Sequence, residues 1–175
     1  MEFTYITTDR LKLRLVNQEV LDGIFKNYAE KEIIEFFGES AAEKEIQRYK
    51  EGASMFNRTF LYFHLLDKNT DELIGWCGYH TWYLEHKRAE IGYTIYDDNH
   101  REKGYMSEAL TAVIEYGFHE MYLHRIEALV GPYNRASLRL MKKFGFNEEG
   151  RLKEHYYTGG IYEDSIVFGL IKPQH

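Results

Sequence analysis

The chain has 175 residues, a net charge of −6, 44% hydrophobic and 29% charged residues, and one cysteine. Its length suits one domain spanning residues 1–175 with a sizeable core, and its acidic balance argues against general nucleic-acid binding while mildly favouring cationic partners such as amines or basic proteins. No apolar run is long enough to cross a membrane, no signal-peptide pattern opens the chain, and the lone Cys77 excludes an internal disulfide framework and fits a reducing cytoplasm.

Leu11, Leu13 and Leu15 alternate with Lys12 and Arg14, which predicts a half-buried first strand. Asn17 is placed to cap a helix whose apolar stripe is Val20, Leu21, Ile24, Phe25 and Tyr28. A second helical region runs from Glu30 to Glu51, interrupted near Gly38-Glu39-Ser40. Its acids Glu30, Glu32, Glu35, Glu39, Glu43, Glu45 and Glu51 form either a solvated face or a steering surface for a positively charged acceptor. Phe60 to Leu66 and Leu73 to Tyr79 read as strands joined by the polar turn Asp67–Asp71, with Cys77 buried among Ile74, Trp76 and Tyr79 rather than poised as a nucleophile. Thr81 to His86 leads into the central strand as a loop; its aromatics wall an acceptor site, form a dimer contact, or are ordinary edge packing.

Ala89 to Tyr96 is rich in aromatic and β-branched residues, a strand in which Gly92 permits a bulge. Asp97 to Gly104 is a charged loop, and from Tyr105 the residues Met106, Ala109, Leu110, Val113, Ile114, Gly117 and Phe118 recur at helical spacing. Arg125 to Val130 is another strand. Asn134-Arg135-Ala136-Ser137 opens a short helix through Leu138, Leu140, Met141 and Phe144, which Gly145 ends. Gly150 to His155 and Ile161 to Ile171 close the chain as two strands around Thr158-Gly159-Gly160. This order of elements is that of a mixed-sheet α/β layer protein.

Strand, short charged loop and helix start together make an anion site, because the first turn of a helix carries unpaired N–H groups and the positive end of the dipole. Neither a dinucleotide fingerprint nor a P-loop is present, and the eight histidines show no close pair on a helix face, so no metal is expected.

The loop reads Arg101-x-x-Gly104-x-Met106, and further motifs flank it in order: Thr8-Asp9-Arg10-Leu11-Lys12-Leu13-Arg14 before it, then Ala89-Glu90-Ile91-Gly92-Tyr93, Asn134-x-x-Ser137, Lys143-Phe144-Gly145-Phe146, Glu149-Gly150-x-Leu152 and Gly160-x-x-x-Asp164. Together they resemble the GNAT N-acetyltransferases of the RimJ/RimL type, over nearly the whole chain; Met106 departs from the small residue usual at the third loop position. The resemblance implies an α/β (α+β) GNAT fold, a mixed, mostly antiparallel sheet of about seven strands flanked by about four helices, with its fourth and fifth strands splayed. It implies transfer of acetyl from acetyl-CoA to an amine, with coenzyme A phosphates on the N–H groups of Arg101, Glu102, Lys103, Gly104, Tyr105, Met106 and Ser107. The pantetheine arm would lie along Thr94, Ile95 and Tyr96. Asn134 either contacts the cofactor or only caps its helix.

Glu90 is the candidate general base, directly or through a water; otherwise it is a strand carboxylate paired to Arg88, with His80 and Glu149 as alternative bases. The general-acid tyrosine of many members is replaced by Met141. Ser137 is implied to orient or hydrogen-bond the sulfur, and is otherwise a helix-start serine. The expected acceptor is the N-terminal α-amine of a protein such as a ribosomal protein. The alternatives are a small amine (a polyamine or amine drug) and a coenzyme A-binding protein without catalysis. An aromatic content of 16% leaves room for a homodimer face.

Overall fold

Alternation along the first leucines builds a strand because one face buries Leu11, Leu13 and Leu15 while Lys12 and Arg14 stay half-exposed. The computed structural model describes residues 2–51 and 59–173, and among them the chain forms eight strands and five α-helices. In order these are β1 (Tyr5–Thr7), β2 (Leu11–Val16), α1 (Gln18–Asn27), α2 (Glu30–Phe37), α3 (Glu39–Glu51), β3 (Thr59–Asp67), β4 (Leu73–Tyr83), β5 (Arg88–Ile95), α4 (Tyr105–His119), β6 (Arg125–Val130), α5 (Arg135–Lys143), β7 (Asn147–Thr158) and β8 (Ile161–Ile171). A one-turn 3₁₀ helix, Asp98–His100, lies between β5 and α4.

The count exceeds the sequence expectation by one strand and one helix. β1 has only three residues, too few to leave a periodic signature, and the region from Glu30 breaks into two helices at Gly38, whose φ of +80° no side-chain-bearing residue adopts readily. Residues 81–83, expected in a loop, extend β4: Trp82 packs on the main core, and Tyr83 lies under the Arg88 guanidinium, 4.1 Å away. Both rings thus pack within the chain.

The strands form one sheet in the order β1-β2-β3-β4-β5-β6-β8-β7, antiparallel except where β5 meets β6. That parallel pairing lasts three positions, Arg88↔Arg125 to Glu90↔Glu127, and then the strands part, while β6 pairs with β8 along its whole length. The splay expected between the fourth and fifth strands of the family's count is therefore the wedge between β5 and β6. Its cause is not a bulge at Gly92, which stays in register opposite Gly78. The register shift lies on β4 between Tyr79 and Thr81, with His80 as the extra residue.

Each sheet face buries its own core. One packs Leu13, Phe63, Cys77, Tyr79 and Ile91 against Leu110, Val113 and Met141 of α4 and α5; the other packs Val16, Leu21, Ile24, Ile33, Phe36 and Phe37 under α1 and α2. Each such side chain, fully buried, contributes about 1.5–3 kcal/mol. Helix α4 is docked by a specific contact: Tyr79 Oη donates to Val113 O at 2.9 Å, and the phenol occupies the space beside Gly117, where a Cβ would sit 2.1 Å from Oη. This fixes the middle of α4 against β4.

Candidate active site

The loop before α4 ends in two left-handed residues, Glu102 (φ +58°) and Gly104 (φ +84°). Gly104 is the N-cap and has no side chain to offer, and the first helical bond runs from Glu108 N–H to Gly104 O. The N–H groups of Tyr105, Met106 and Ser107 therefore have no partner within the helix and present a positive cradle for an anion. Arg101 pairs with Asp98 and reaches Ile95 O, Lys103 is exposed, and Met106 packs on the core. Lys143, from the end of α5, donates to the Ser107 hydroxyl and brings a further cation to the helix start.

Arg10 holds this loop in place, a role its sequence motif did not disclose. Its Nη1 donates to Lys103 O at 2.9 Å, its Nε to Glu108 Oε2 at 2.8 Å, and its guanidinium lies 4.5 Å from the centre of the Tyr105 ring. The Thr8 hydroxyl and the Arg10 N–H both donate to Glu108 Oε1. Burial pushes the Glu108 carboxyl up, but these bonds pull it further down, and its pKa ends below the ordinary value.

Where β5 and β6 part, a cavity of ≈ 250 Å³ is lined by His80, Glu90, Ile91, Gly92, Tyr93, Ala128 to Gly131, Asn134, Ser137 and Tyr156. The two candidate catalytic residues, Glu90 and Ser137, thus stand on its opposite walls. Tyr96 N–H donates to Ile74 O on β4, so by strand alternation Thr94 and Gly92 also turn their backbone groups to β4. Those of Ile91, Tyr93 and Ile95 turn into the wedge. Of the three residues expected along a pantetheine arm, Ile95 offers its backbone to the wedge, whereas Thr94 and Tyr96 do not.

Glu90 is largely buried, with its side chain 18% exposed, and lies 3.5 Å from His80 Nε2; Arg88 Nη1 goes to Glu127 at 2.6 Å. His80 occupies the space above Gly92, where a Cβ would come within 2.5 Å of its ring, so glycine there is required by the imidazole. The Asn134 side chain accepts from Ser137 N–H at 3.0 Å, capping α5, and also lines the cavity. Tyr156, which sequence reasoning did not single out, reaches in from the exposed hairpin; burial and then the nearby Glu90 charge raise its pKa.

A second cavity, ≈ 440 Å³, shares His80, Gly92 and Tyr93 with the first and extends under α1–α3. Rings of Phe37, Phe60, Tyr62, Trp76 and Tyr96 wall it, together with Glu45 and His64. Burial, and then Arg14, hold the His64 pKa well below the ordinary value, so it is neutral. Arg14 Nη2 stands 2.9 Å from His64 Nδ1, and a guanidinium can only donate, so the ring proton sits on Nε2. Of the acids read as a steering surface, Glu45 faces this cavity, while Glu30, Glu39 and Glu43 line a separate groove between α2 and α3.

Two alternatives fall away. Glu149 lies outside both cavities and makes a two-point ion pair with Arg125, which holds its carboxyl below the ordinary pKa and leaves it no role as a base. Cys77 is completely buried, and burial pushes its thiol pKa far up, so it is not a nucleophile.

Residues 10–147 match the Acetyltransferase (GNAT) domain family. Over 98% of its length the chain is 34% identical to "Uncharacterized N-acetyltransferase YoaA" of Bacillus subtilis (strain 168), covering 99% of that protein. It is 31% identical to the [Ribosomal protein uS5]-alanine N-acetyltransferase of Escherichia coli (strain K12), covering 96% of this chain and 91% of that one. Among solved structures, spermidine/spermine N-acetyltransferase SpeG from Vibrio cholerae superposes with a TM-score of 0.68 at 23% identity, over 93% of this chain and 92% of the other, a likeness of fold.

Proposed function

The chain belongs to the GNAT acetyltransferase family, and on that premise we propose that it transfers acetyl from acetyl-CoA to the N-terminal α-amine of a polypeptide by direct attack on the thioester. The observation that carries this reading is the union of two cavities through His80, Gly92 and Tyr93. One opens between separated strands beside Glu90 and Ser137, the other is roomy enough for an acceptor.

The residues fit a coenzyme A thioester. Phosphates rest on the N–H groups at the start of α4 with Arg101, Lys103 and Lys143 near them, and the pantetheine pairs with the Ile95 N–H along the wedge, the Ile95 carbonyl being in reach of Arg101. The backbone N–H of Tyr93, turned into the wedge, is placed to steady the oxyanion. Glu90 takes the proton that the attacking amine releases, and His80 positions its carboxylate. Ser137 orients the sulfur from the far wall, while the Asn134 amide keeps its cap and offers its remaining donors to the cofactor.

An α-amine of pKa about 7.7–8.0 is free to roughly a third near pH 7.5, against about one part in a thousand for lysine at ~10.4, so one carboxylate suffices. His64 supports a peptide. Its strand partner Trp76 is four residues from His80 along β4, roughly 13 Å, so its Nε2–H meets a group several bonds from the reacting nitrogen. A peptide carbonyl can accept there, whereas a polyamine has no acceptor to offer. The second reading, a small cationic amine, is favoured by Glu45 and the surrounding rings.

The test is acetyl-CoA consumption with short peptides, including N-terminal peptides of ribosomal proteins, against spermidine. Blocking the α-amine abolishes turnover and replacing internal lysines does not. The reverse pattern, or preference for spermidine, rejects N-terminal specificity.

A further inference from the structure

His64 forms part of the wall of the second cavity and is 2% exposed, boxed by the rings of Phe36, Phe37 and Tyr62. Arg14, which also donates to Phe36 O, takes its Nδ1, whereas its Nε2–H bonds to no described residue. Nor is Nε2 sealed away: part of the surface that His64 retains lies at this atom, on the cavity. A phenylalanine would pack among the same rings with no polar atom to satisfy. Water can serve the N–H in the free protein, and a molecule that displaces this water must return the bond or bind more weakly.

The sheet register sets where that bond falls on an acceptor. His64, Trp76 and Thr94 form one row across β3, β4 and β5, and Glu90 lies four residues along β5 from Thr94. Glu90 reaches His80, which shares the cavity with His64, so both side chains stand on one face of the sheet. Four residues along and two strands across separate their Cα atoms by roughly 16 Å. One hydrogen bond at each end takes up about 3 Å, leaving about 10 Å, which an extended chain covers between its amino group and its second or third carbonyl. We propose that His64 is a specificity-determining residue whose Nε2–H reads that carbonyl, so the enzyme favours polypeptides over single amino acids, a proposal that rests on the peptide reading above. A shorter acceptor fills the end beside Glu90 and leaves His64 without the bond.

The test is acetyl-CoA consumption by alanine amides of one to four residues, with the parent and with His64→Phe. In the parent, kcat/KM rises about five- to a hundredfold at the peptide that first supplies the carbonyl, and the variant loses that step. In the tetrapeptide amide, a trans-alkene in place of the second or the third amide costs the parent the same factor at one of the two positions. The variant is indifferent to that replacement, a coupling that a general loss of structure does not produce. If His64→Phe does not fold, the alkene series in the parent decides alone. A length dependence that the variant keeps, or alkene effects under about twofold at both positions, overturns the proposal and leaves N-terminal acetylation standing. A parent protein that acetylates spermidine and no peptide overturns the peptide reading and this proposal with it.

Discussion

Arg10→Met removes the clamp on the anion loop while leaving the loop's own sequence intact. The guanidinium makes one bond to Lys103 O, one to Glu108 Oε2, and a stacking contact with Tyr105. With the Arg10 side chain 45% exposed, solvent screens the pair, and each bond is worth about 0.5–1 kcal/mol rather than its buried value. The sum, about 1–2 kcal/mol, is spent on holding Glu102 and Gly104 in their left-handed conformations, so coenzyme A affinity drops about five- to thirtyfold. The fold survives, because Thr8 Oγ1 and the Arg10 N–H still hold Glu108. Isothermal titration of coenzyme A at low and high salt reads the effect, which shrinks as salt rises because part of it is an exposed ion pair. Affinity within twofold of the parent at low salt would refute the reasoning, and so would a collapse of thermal stability.

Gly104→Val places a β-branched side chain at φ +84° over the free N–H groups of α4, and titration should detect no coenzyme A binding. Glu149 is held below its ordinary pKa chiefly by its bonds to Arg125. It therefore contributes stability above the unfolded-state value of ~4.3, and that stability is lost as pH falls through the folded value. Urea unfolding of Glu149→Gln should accordingly show a flatter stability slope than the parent between about pH 5 and 3, with activity per folded molecule unchanged at neutral pH.

The elements most legible in the sequence are those with a long or rule-bound signal. The stripe from Met106 to Phe118, read from Tyr105 onward after the loop that Gly104 ends, coincides with α4, whose N-cap is that glycine. Glu90, Ser137 and Asn134, which the motifs singled out, line one cavity. The rest depended on register and distance along the chain. Gly92 looked like the site of a bulge because glycine advertises one, yet the irregularity lies at His80, an ordinary strand residue whose ring claims the space glycine vacates. Arg10 stood in a recognisable motif, but its contact with Lys103 crosses most of the sheet's sequence span, which no local pattern reports. Tyr156 enters the cavity only because β7 runs from Asn147 to Thr158, longer than the expected Gly150 to His155.

The central claim is that an amine loses its proton to Glu90 in the wedge between β5 and β6. The most direct measurement is the pH–rate profile of Glu90→Gln against the parent with a peptide acceptor. A positioned base is worth about 10²–10⁴-fold in kcat, so the variant should be slower by that factor near neutrality. The gap should narrow toward pH 9 as the amine deprotonates unaided, with coenzyme A affinity unchanged. Identical rates for the two proteins at every pH from about 6 to 9 would contradict the account.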